Sequence, residues 1–188
     1  IVGLAADNQQ NTTLDCPPGQ VYKISDNLTP GKTPVLKDTV DPLAGGVGSQ
    51  GWSGQQLIHA KMIAITGEAM GFDRSGVVIA IMVAMGESSL KNINYGDDIF
   101  GVKNPDGTPT SSIGLFQQQK WWEPMELLGR SPAEGEPGFG QPFGLARLDP
   151  YYAAQSFFNA LAAVPDWQTL EPTIAGHRVQ KNANPQHY

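Results

Sequence analysis

The chain has 188 residues, with 12 Lys or Arg against 18 Asp or Glu and a net charge of −6, which argues against a nucleic-acid-binding surface because such surfaces need clustered basic charge. No apolar run reaches the roughly 18 residues of a membrane-spanning helix. The single cysteine, Cys16, excludes an internal disulfide and a zinc site built from cysteines.

The first 52 residues show no helical periodicity. They contain five prolines, several Asn-, Gln- and Thr-rich stretches and the pair Gly45-Gly46. Composition of this kind favours irregular chain over packed elements. We therefore predict an irregular arm or linker over 1–52 and a folded domain over 53–188.

The folded part is predicted to begin with a helix. Ser53 and Gln56 have the spacing of a capping box, in which each side chain satisfies a backbone N–H of the other residue. Ile58 and Met62 then start an apolar series with the period of a helix. Gly71 is expected to end this first helix.

The second predicted helix is unusually apolar. Asp73 or Ser75 is expected to cap it, and residues 76–86 carry no polar side chain. A helix that is apolar on all faces is expected to be buried on all sides. This helix leads directly into Glu87.

Residues 91–112 differ in character from the helices around them. The segments 99–102 and 108–112 flank the turn sequence Asn-Pro-Asp-Gly at 104–107. This pattern predicts a small β-hairpin after the second helix.

The rest of the chain is predicted to be loop and helix. Residues 129–148 are rich in Gly and Pro and are expected to form an exposed loop. Asp149 and Pro150 are good first residues for a third helix, which Pro165 ends, and a last helix begins near Pro172. The predicted fold class is mainly α (α+β), a helical domain with one small hairpin.

Glu87 is the main candidate for chemistry. Its neighbours on the same helix face are Ala80, Val83 and Ala84, so its carboxyl group should lose solvation when it ionises. The negative end of the helix dipole acts in the same direction, and both effects raise the pKa. A glutamic acid that stays protonated near neutral pH is what general-acid cleavage of a glycosidic bond requires. The alternative is a glutamate at a helix end whose carboxylate reaches solvent.

Aromatic and amide side chains that suit a carbohydrate ligand follow Glu87 in the chain. The aromatic residues, on which sugar rings could stack, are Tyr95, Trp121, Trp122, Tyr151 and Tyr152. The amides, which could bond hydroxyl and acetamido groups, are Asn92, Asn94, Gln117 and Gln118. The alternative for the aromatic residues is core packing, expected for at least half of them, and for the glutamines it is a surface turn.

Three short motifs occur in an order typical of a known family. The pair Glu87-Ser88 ends a buried helix, Gly114–Gln117 reads Gly-Leu-Phe-Gln, and Asp149–Ala154 opens a helix with Asp-Pro followed by tyrosines and alanines. Over residues 53–188 this order resembles the soluble lytic transglycosylases of lysozyme-like fold. It is most similar to the cell-wall lytic domains of actinobacteria and phages.

The resemblance implies cleavage of peptidoglycan at the β-1,4 bond between N-acetylmuramic acid and N-acetylglucosamine. In that case Glu87 protonates the bridging oxygen, Ser88 supports Glu87, and Phe116 and Gln117 line the cleft. The full set of expected substrate-binding residues is Ser88, Tyr95, Phe116, Gln117, Gln118 and Tyr152.

Two departures from the family pattern affect this expectation. The family's last motif carries a tyrosine that steadies the acid, but residues 174–180 stand in its place without one. Tyr95 or Tyr152 would then have to replace that tyrosine. The loop over 129–148 is an addition to the family pattern and is expected to cover or narrow the cleft.

The number of carboxylates in the cleft decides the product. A hydrolase of the usual kind needs a second acid, and Asp97 and Asp98 are the only candidates near Glu87 in sequence. With Glu87 alone, the sugar's own 6-hydroxyl closes an anhydro ring, and we favour this lytic transglycosylase reaction over lysozyme-type hydrolysis. Further alternatives are a non-catalytic glycan-binding module of a phage tail or a secretion or conjugation apparatus, and a helical interaction domain without carbohydrate binding.

We expect no metal and no cofactor, because the three histidines are scattered and form no ligand motif. The expected partner is the glycan strand of peptidoglycan, bound by a monomeric domain that can belong to a larger cell-wall, tail or secretion assembly. The expected location is extracellular or at the cell wall, either free or tethered to a membrane through a segment preceding residue 1, or in a virion tail. An irregular arm of about 50 residues suits such a tether.

Overall fold

The fold is built from four α-helices within the residues that the computed structural model describes, which are 51–52, 54–123, 131–182 and 184–188. They are α1 (Gly54–Ala69), α2 (Arg74–Ser88), α3 (Pro150–Ala162) and α4 (Pro172–Gln180). The mainly α class is confirmed. The predicted arm over 1–52 lies outside the described residues except for its last two.

Local sequence signals set the ends of these helices. The side chain of Asp73 accepts a hydrogen bond from the backbone N of Gly76 at 3.1 Å, which makes it the N-cap of α2. Asp149 caps α3 in the same way by accepting from the backbone N of Tyr151 at 2.9 Å, and Pro150 is the first helical residue. Both caps are as predicted, whereas the capping box of α1 depends on residue 53, which lies outside the described residues.

Helix α3 packs against each of the other three helices. Phe157 and Phe158 on its inner face are fully buried, and the ring of Phe158 lies 4.7 Å from that of Phe72. A Cβ atom added to Gly67 of α1 would lie only 2.4 Å from Phe158, so the glycine permits the close approach of α1 and α3. Helix α2 packs against these helices.

Helix α2 is not buried on all sides, which corrects the expectation from its apolar sequence. Ala80, Val83 and Ala84 are fully buried, but Val78 is 43% exposed and Met85 is 38% exposed. The helix therefore lies at the edge of the core, with one face against α1, α3 and α4. None of the helices in the described part of the chain is long and apolar enough to cross a membrane.

The predicted β-hairpin is absent from residues 91–112 as described. Asp97–Phe100 forms a 3₁₀ helix where the first strand was expected. Only an isolated bridge, between Lys103 and Pro109, joins the two sides of the turn.

Side-chain hydrogen bonds also hold this segment in place. The hydroxyl of Thr110 donates to Asp97 at 2.9 Å, and the backbone N and hydroxyl of Thr108 donate to Asp106. The bond from the Thr108 backbone N to Asp106 satisfies a turn N–H locally, whether or not the flanking segments pair as strands.

Candidate active site

The end of α2 is held firmly beside the first helix. Ser89 and Leu90 both adopt left-handed backbone conformations, with φ of 52° and 58°, and so turn the chain sharply after Glu87. Two side chains of α1 bond the carbonyl oxygens exposed by this turn. Gln56 donates to the Ser89 oxygen at 2.7 Å, and His59 Nδ1 donates to the Leu90 oxygen at 2.7 Å. Glu87 is therefore presented by a well-anchored helix end.

A large cleft opens next to this helix end. Its volume is about 960 Å³, at the upper end of the range of small-molecule sites. The wall includes Glu87, Asp97, Gln117, Trp121, Trp122 and Arg178. The cleft thus combines carboxyl, amide and indole groups from segments far apart in the chain.

Burial raises the pKa of Glu87 above its ordinary value. The side chain is half-buried on a helix face whose neighbours are apolar, and this desolvation is the largest effect. A hydrogen bond from Tyr188 and the nearby His187 act in the opposite direction, while the negative charge of Asp97 raises the pKa further. The net direction is the one that a general acid needs.

The tyrosine that contacts the acid is Tyr188, which the sequence analysis did not single out. Its hydroxyl donates a hydrogen bond to Oε1 of Glu87, 101 residues away, and accepts one from Nδ2 of Asn182 at 2.9 Å. Burial, together with the bond to Glu87, raises the pKa of Tyr188, so the phenol keeps its proton. A tyrosine therefore does bond the carboxyl group of Glu87, although it lies outside residues 174–180, where the resemblance placed it.

The two residues suggested as replacements do not take this role. The hydroxyl of Tyr152 donates to the backbone oxygen of Trp122 at 2.6 Å. Tyr95 is 49% exposed and does not line the cleft. The suggestion was wrong for both, because Tyr188, from the segment that follows α4, makes the bond to Glu87 instead.

Two glycines allow the ring of Tyr188 to pack against the helices. A Cβ atom added to Gly86 would lie 2.7 Å from the ring, and one added to Gly176 would lie 3.2 Å from it. These glycines belong to α2 and α4, where glycine normally weakens a helix. A glycine inside each of two helices was therefore the signal in the sequence for a close approach at this point.

The Gly-Leu-Phe-Gln segment is bonded to two helices. The hydroxyl of Ser88 donates to the backbone oxygens of Ala84 and Leu115, at 3.1 and 2.8 Å. Gln180 of α4 donates to the backbone oxygen of Phe116 at 2.8 Å. Ser88 thus connects the end of α2 to the segment, and its hydroxyl bonds backbone oxygens and not the carboxyl of Glu87.

Glycine is required at the start of this segment. Gly114 has a φ of +78°, and a Cβ atom there would lie 2.3 Å from the backbone oxygen of Arg147. The guanidinium of buried Arg147 donates to the backbone oxygens of Ser111 and Gln118 and pairs with Glu123 at 2.7 Å. These contacts fix the segment next to the cleft.

Of the motif residues predicted to bind substrate, only Gln117 lines the cleft. It has a left-handed backbone with φ of 46°, and its Nε2 donates to the Gly114 oxygen at 3.2 Å. A positive φ in a residue other than glycine is a strained conformation that often marks a functional position.

Phe116 and Gln118 belong to the interior and not to the cleft wall. Each is 1% exposed. The ring of Phe116 stacks on Phe157 with centroids 4.8 Å apart, and Nε2 of Gln118 donates to the backbone oxygen of Ala153 at 3.0 Å. The prediction was wrong for both because the segment between the two bonded helices turns these side chains inward.

Of the two candidate second acids, Asp97 lines the cleft and Asp98 does not. Trp121, which is 69% exposed, and Trp122 also line it, so both remain candidates for stacking on a sugar ring. No residue of the loop described from 131 onwards lines the cleft, so the described part of that loop does not narrow it.

Comparison with family models and with curated proteins gives no match to this chain. Within the described ranges, no group of three or more His, Cys, Asp or Glu side chains has an arrangement that could hold a metal ion. The side chains that the structure does bring together are a half-buried carboxyl, a phenol, amides and two indoles.

Proposed function

We propose that the protein is a peptidoglycan-cleaving glycosidase of lysozyme-like fold that acts on the β-1,4 bond between N-acetylmuramic acid and N-acetylglucosamine. The observation that carries the proposal is a half-buried glutamic acid with a raised pKa on the wall of a cleft of about 960 Å³. The indoles and amides of the cleft supply stacking surfaces and hydrogen bonds for sugars. The site of action is the glycan of the cell wall, reached from outside the cell or from a virion tail.

In the reaction that we favour, Glu87 is the only carboxyl group that takes part. Its proton passes to the bridging oxygen, which leaves with the electron pair of the bond to C1 of N-acetylmuramic acid. The Glu87 carboxylate then removes the proton of the 6-hydroxyl, whose oxygen bonds to C1 and closes a 1,6-anhydro ring. No water is consumed, and Glu87 recovers its proton.

The second candidate is a muramidase that hydrolyses the same bond. It is favoured by one observation, the presence of Asp97 in the wall of the same cleft, close enough to raise the pKa of Glu87. A second carboxylate serves hydrolysis at a separation of about 5–5.5 Å if it is the nucleophile, or about 6.5–9.5 Å if it activates water. Asp97 accepts a hydrogen bond from Thr110, which holds it in place.

Digestion of purified peptidoglycan tests the proposal. Wild-type protein is expected to release muropeptides, and Glu87→Gln, which cannot donate a proton to the bridging oxygen, is expected to lose at least about a hundredfold in rate. The matched control is Glu171→Gln at an exposed position. Turnover by Glu87→Gln at the wild-type rate contradicts the role of Glu87. Tight glycan binding by the wild type without any product identifies a non-catalytic module instead.

Mass spectra of the released muropeptides separate the two reactions. Anhydro ends are expected from the transglycosylase, and they should persist in Asp97→Asn. Reducing ends, lost in Asp97→Asn, identify the hydrolase.

A further inference from the structure

A chain of hydrogen bonds leads from the candidate acid to a histidine of α4. Tyr188 donates to Oε1 of Glu87, Nδ2 of Asn182 donates to the Tyr188 oxygen at 2.9 Å, and Oδ1 of Asn182 lies 2.8 Å from Nδ1 of His177. The Glu87 contact crosses 101 residues of sequence, whereas the other two bonds lie within the last part of the chain. The acid is thus connected through Tyr188 to Asn182, which lines the same cleft, and from there to His177 of α4, which does not.

The amide of Asn182 gives this chain a direction. An amide accepts only at its oxygen and donates only at its nitrogen. Nδ1 of His177, which faces Oδ1 of Asn182, must therefore carry a hydrogen. The phenol of Tyr188 already accepts from Nδ2, and its single proton is therefore donated to Oε1 of Glu87. In the protonated acid, the hydrogen must then be on Oε2, which has no hydrogen-bond partner among the described residues.

The opposite direction would work against catalysis. If the group at position 177 could only accept, the Asn182 amide would turn its nitrogen towards that group and its oxygen towards Tyr188. The phenol would then donate to Asn182, and Glu87 would have to donate its proton to the phenol. The proton needed by the bridging oxygen would be held inside the protein.

We propose that Asn182 and His177 are positioning residues that set the direction of this chain, so that Glu87 carries its acidic proton on Oε2. The inference rests on the proposed general-acid role of Glu87. In the first step, the O–H bond at Oε2 breaks, its proton goes to the bridging oxygen, and Oε1 stays bonded to Tyr188 throughout. His177 does not line the cleft, and Asn182, which does, acts in this proposal through its bond to Tyr188.

A pair of substitutions at His177 tests the direction. In both Asn and Asp the δ atoms lie close to the position of Nδ1, and both remove the imidazole ring. His177→Asn keeps a donor for Asn182, whereas His177→Asp can only accept. We expect His177→Asn to stay within about threefold of the wild-type rate and His177→Asp to lose roughly 10- to 100-fold, part of what general acid catalysis supplies. Asn182→Asp, which also only accepts, should lose as much as His177→Asp.

A readout that is independent of turnover is the ionisation of Glu87 itself, followed by ¹³C NMR of its carboxyl carbon and assigned with Glu87→Gln. The charged and titratable groups that face it are Tyr188, His187 and Asp97. Loss of the phenol bond in His177→Asp should move the titration of Glu87 to higher pH, and His177→Asn should leave it in place. Repeating the comparison at ~1 M salt reduces any direct effect of the new charge, since the Debye length falls to about 3 Å.

Each outcome decides the inference. Exposed Asn159 on α3 provides the control for adding a charge, because Asn159→Asp is expected to change neither rate nor titration. Equal rates and equal Glu87 titrations for the two His177 variants, with thermal melts showing both folded, would overturn the proposed direction. If the wild type cleaves no glycan but the two titrations differ as expected, the direction of the chain is supported and the proposed function fails.

Discussion

Tyr188→Phe removes the hydroxyl that bonds Glu87 while keeping the ring, which packs between Gly86 and Gly176. A hydrogen bond to a charged group contributes about 1.5–3 kcal/mol, and this one stabilises the carboxylate that forms as Glu87 gives up its proton. In the proposed reaction, the carboxylate that develops on Glu87 in the transition state would lose that stabilisation in the variant. At about 1.4 kcal/mol for each factor of ten, kcat should fall roughly 10- to 100-fold.

The pH dependence of the same variant gives the sharper test. The Tyr188 bond lowers the pKa of Glu87, so its removal raises that pKa. Because the proposed reaction requires protonated Glu87, the alkaline limb of the pH profile of kcat/KM should move to higher pH. Rates of muropeptide release across the pH range provide the assay. Tyr152→Phe, whose hydroxyl bonds Trp122, is the matched control and should not move the limb. An unmoved limb in Tyr188→Phe, or one at lower pH, refutes the reasoning.

Three further predictions concern stability and packing. Because the folded-state pKa of Glu87 is raised, ionisation of Glu87 lowers the free energy of unfolding as the pH rises. Glu87→Gln should therefore unfold at a higher urea concentration than wild type at neutral pH, and at the same concentration below pH 4.5, the ordinary pKa. A reversed order would contradict the raised pKa. Gly86→Ala should keep or slightly raise the melting temperature, since replacing the glycine stabilises the helix by up to ~1 kcal/mol. Its activity should fall about tenfold because the ring of Tyr188 must move. Intact activity would show that the ring position is unimportant. Gly114→Ala should cost about 2–4 kcal/mol in urea unfolding, from its positive φ and from the 2.3 Å approach to the Arg147 oxygen, and a loss below ~1 kcal/mol would contradict that packing.

The helices were predictable because their signals are local. Asp73 and Asp149 cap helices through bonds to residues two or three positions away, so sequence spacing alone contains the information. The hairpin was not predictable, since turn residues such as Asp106 bond neighbouring backbone whether or not strands pair. The exposure of Val78 depends on which face of α2 the other helices cover, and the uniformly apolar stretch of α2 does not encode that.

In the candidate site too, the features with local causes could be predicted and those set by packing between distant segments could not. The direction of the Glu87 pKa shift could be predicted because apolar residues precede it on its own helix, and burial is the largest cause of the shift. Tyr188 could not, because it reaches Glu87 only through the packing of α4 and the segment that follows it. Phe116 was misplaced for a related reason: adjacent residues of an irregular segment point in directions set by its anchors, Ser88 and Gln180, and not by a period.

The central claim is that Glu87 holds a proton above the pH at which an ordinary glutamic acid loses it. The most direct measurement is a potentiometric titration of the folded wild type and of Glu87→Gln at equal concentration, because the difference between the two curves reports proton binding by that one carboxyl group. The account predicts a single proton released above the ordinary value of 4.5. A difference curve centred at or below that value would contradict it.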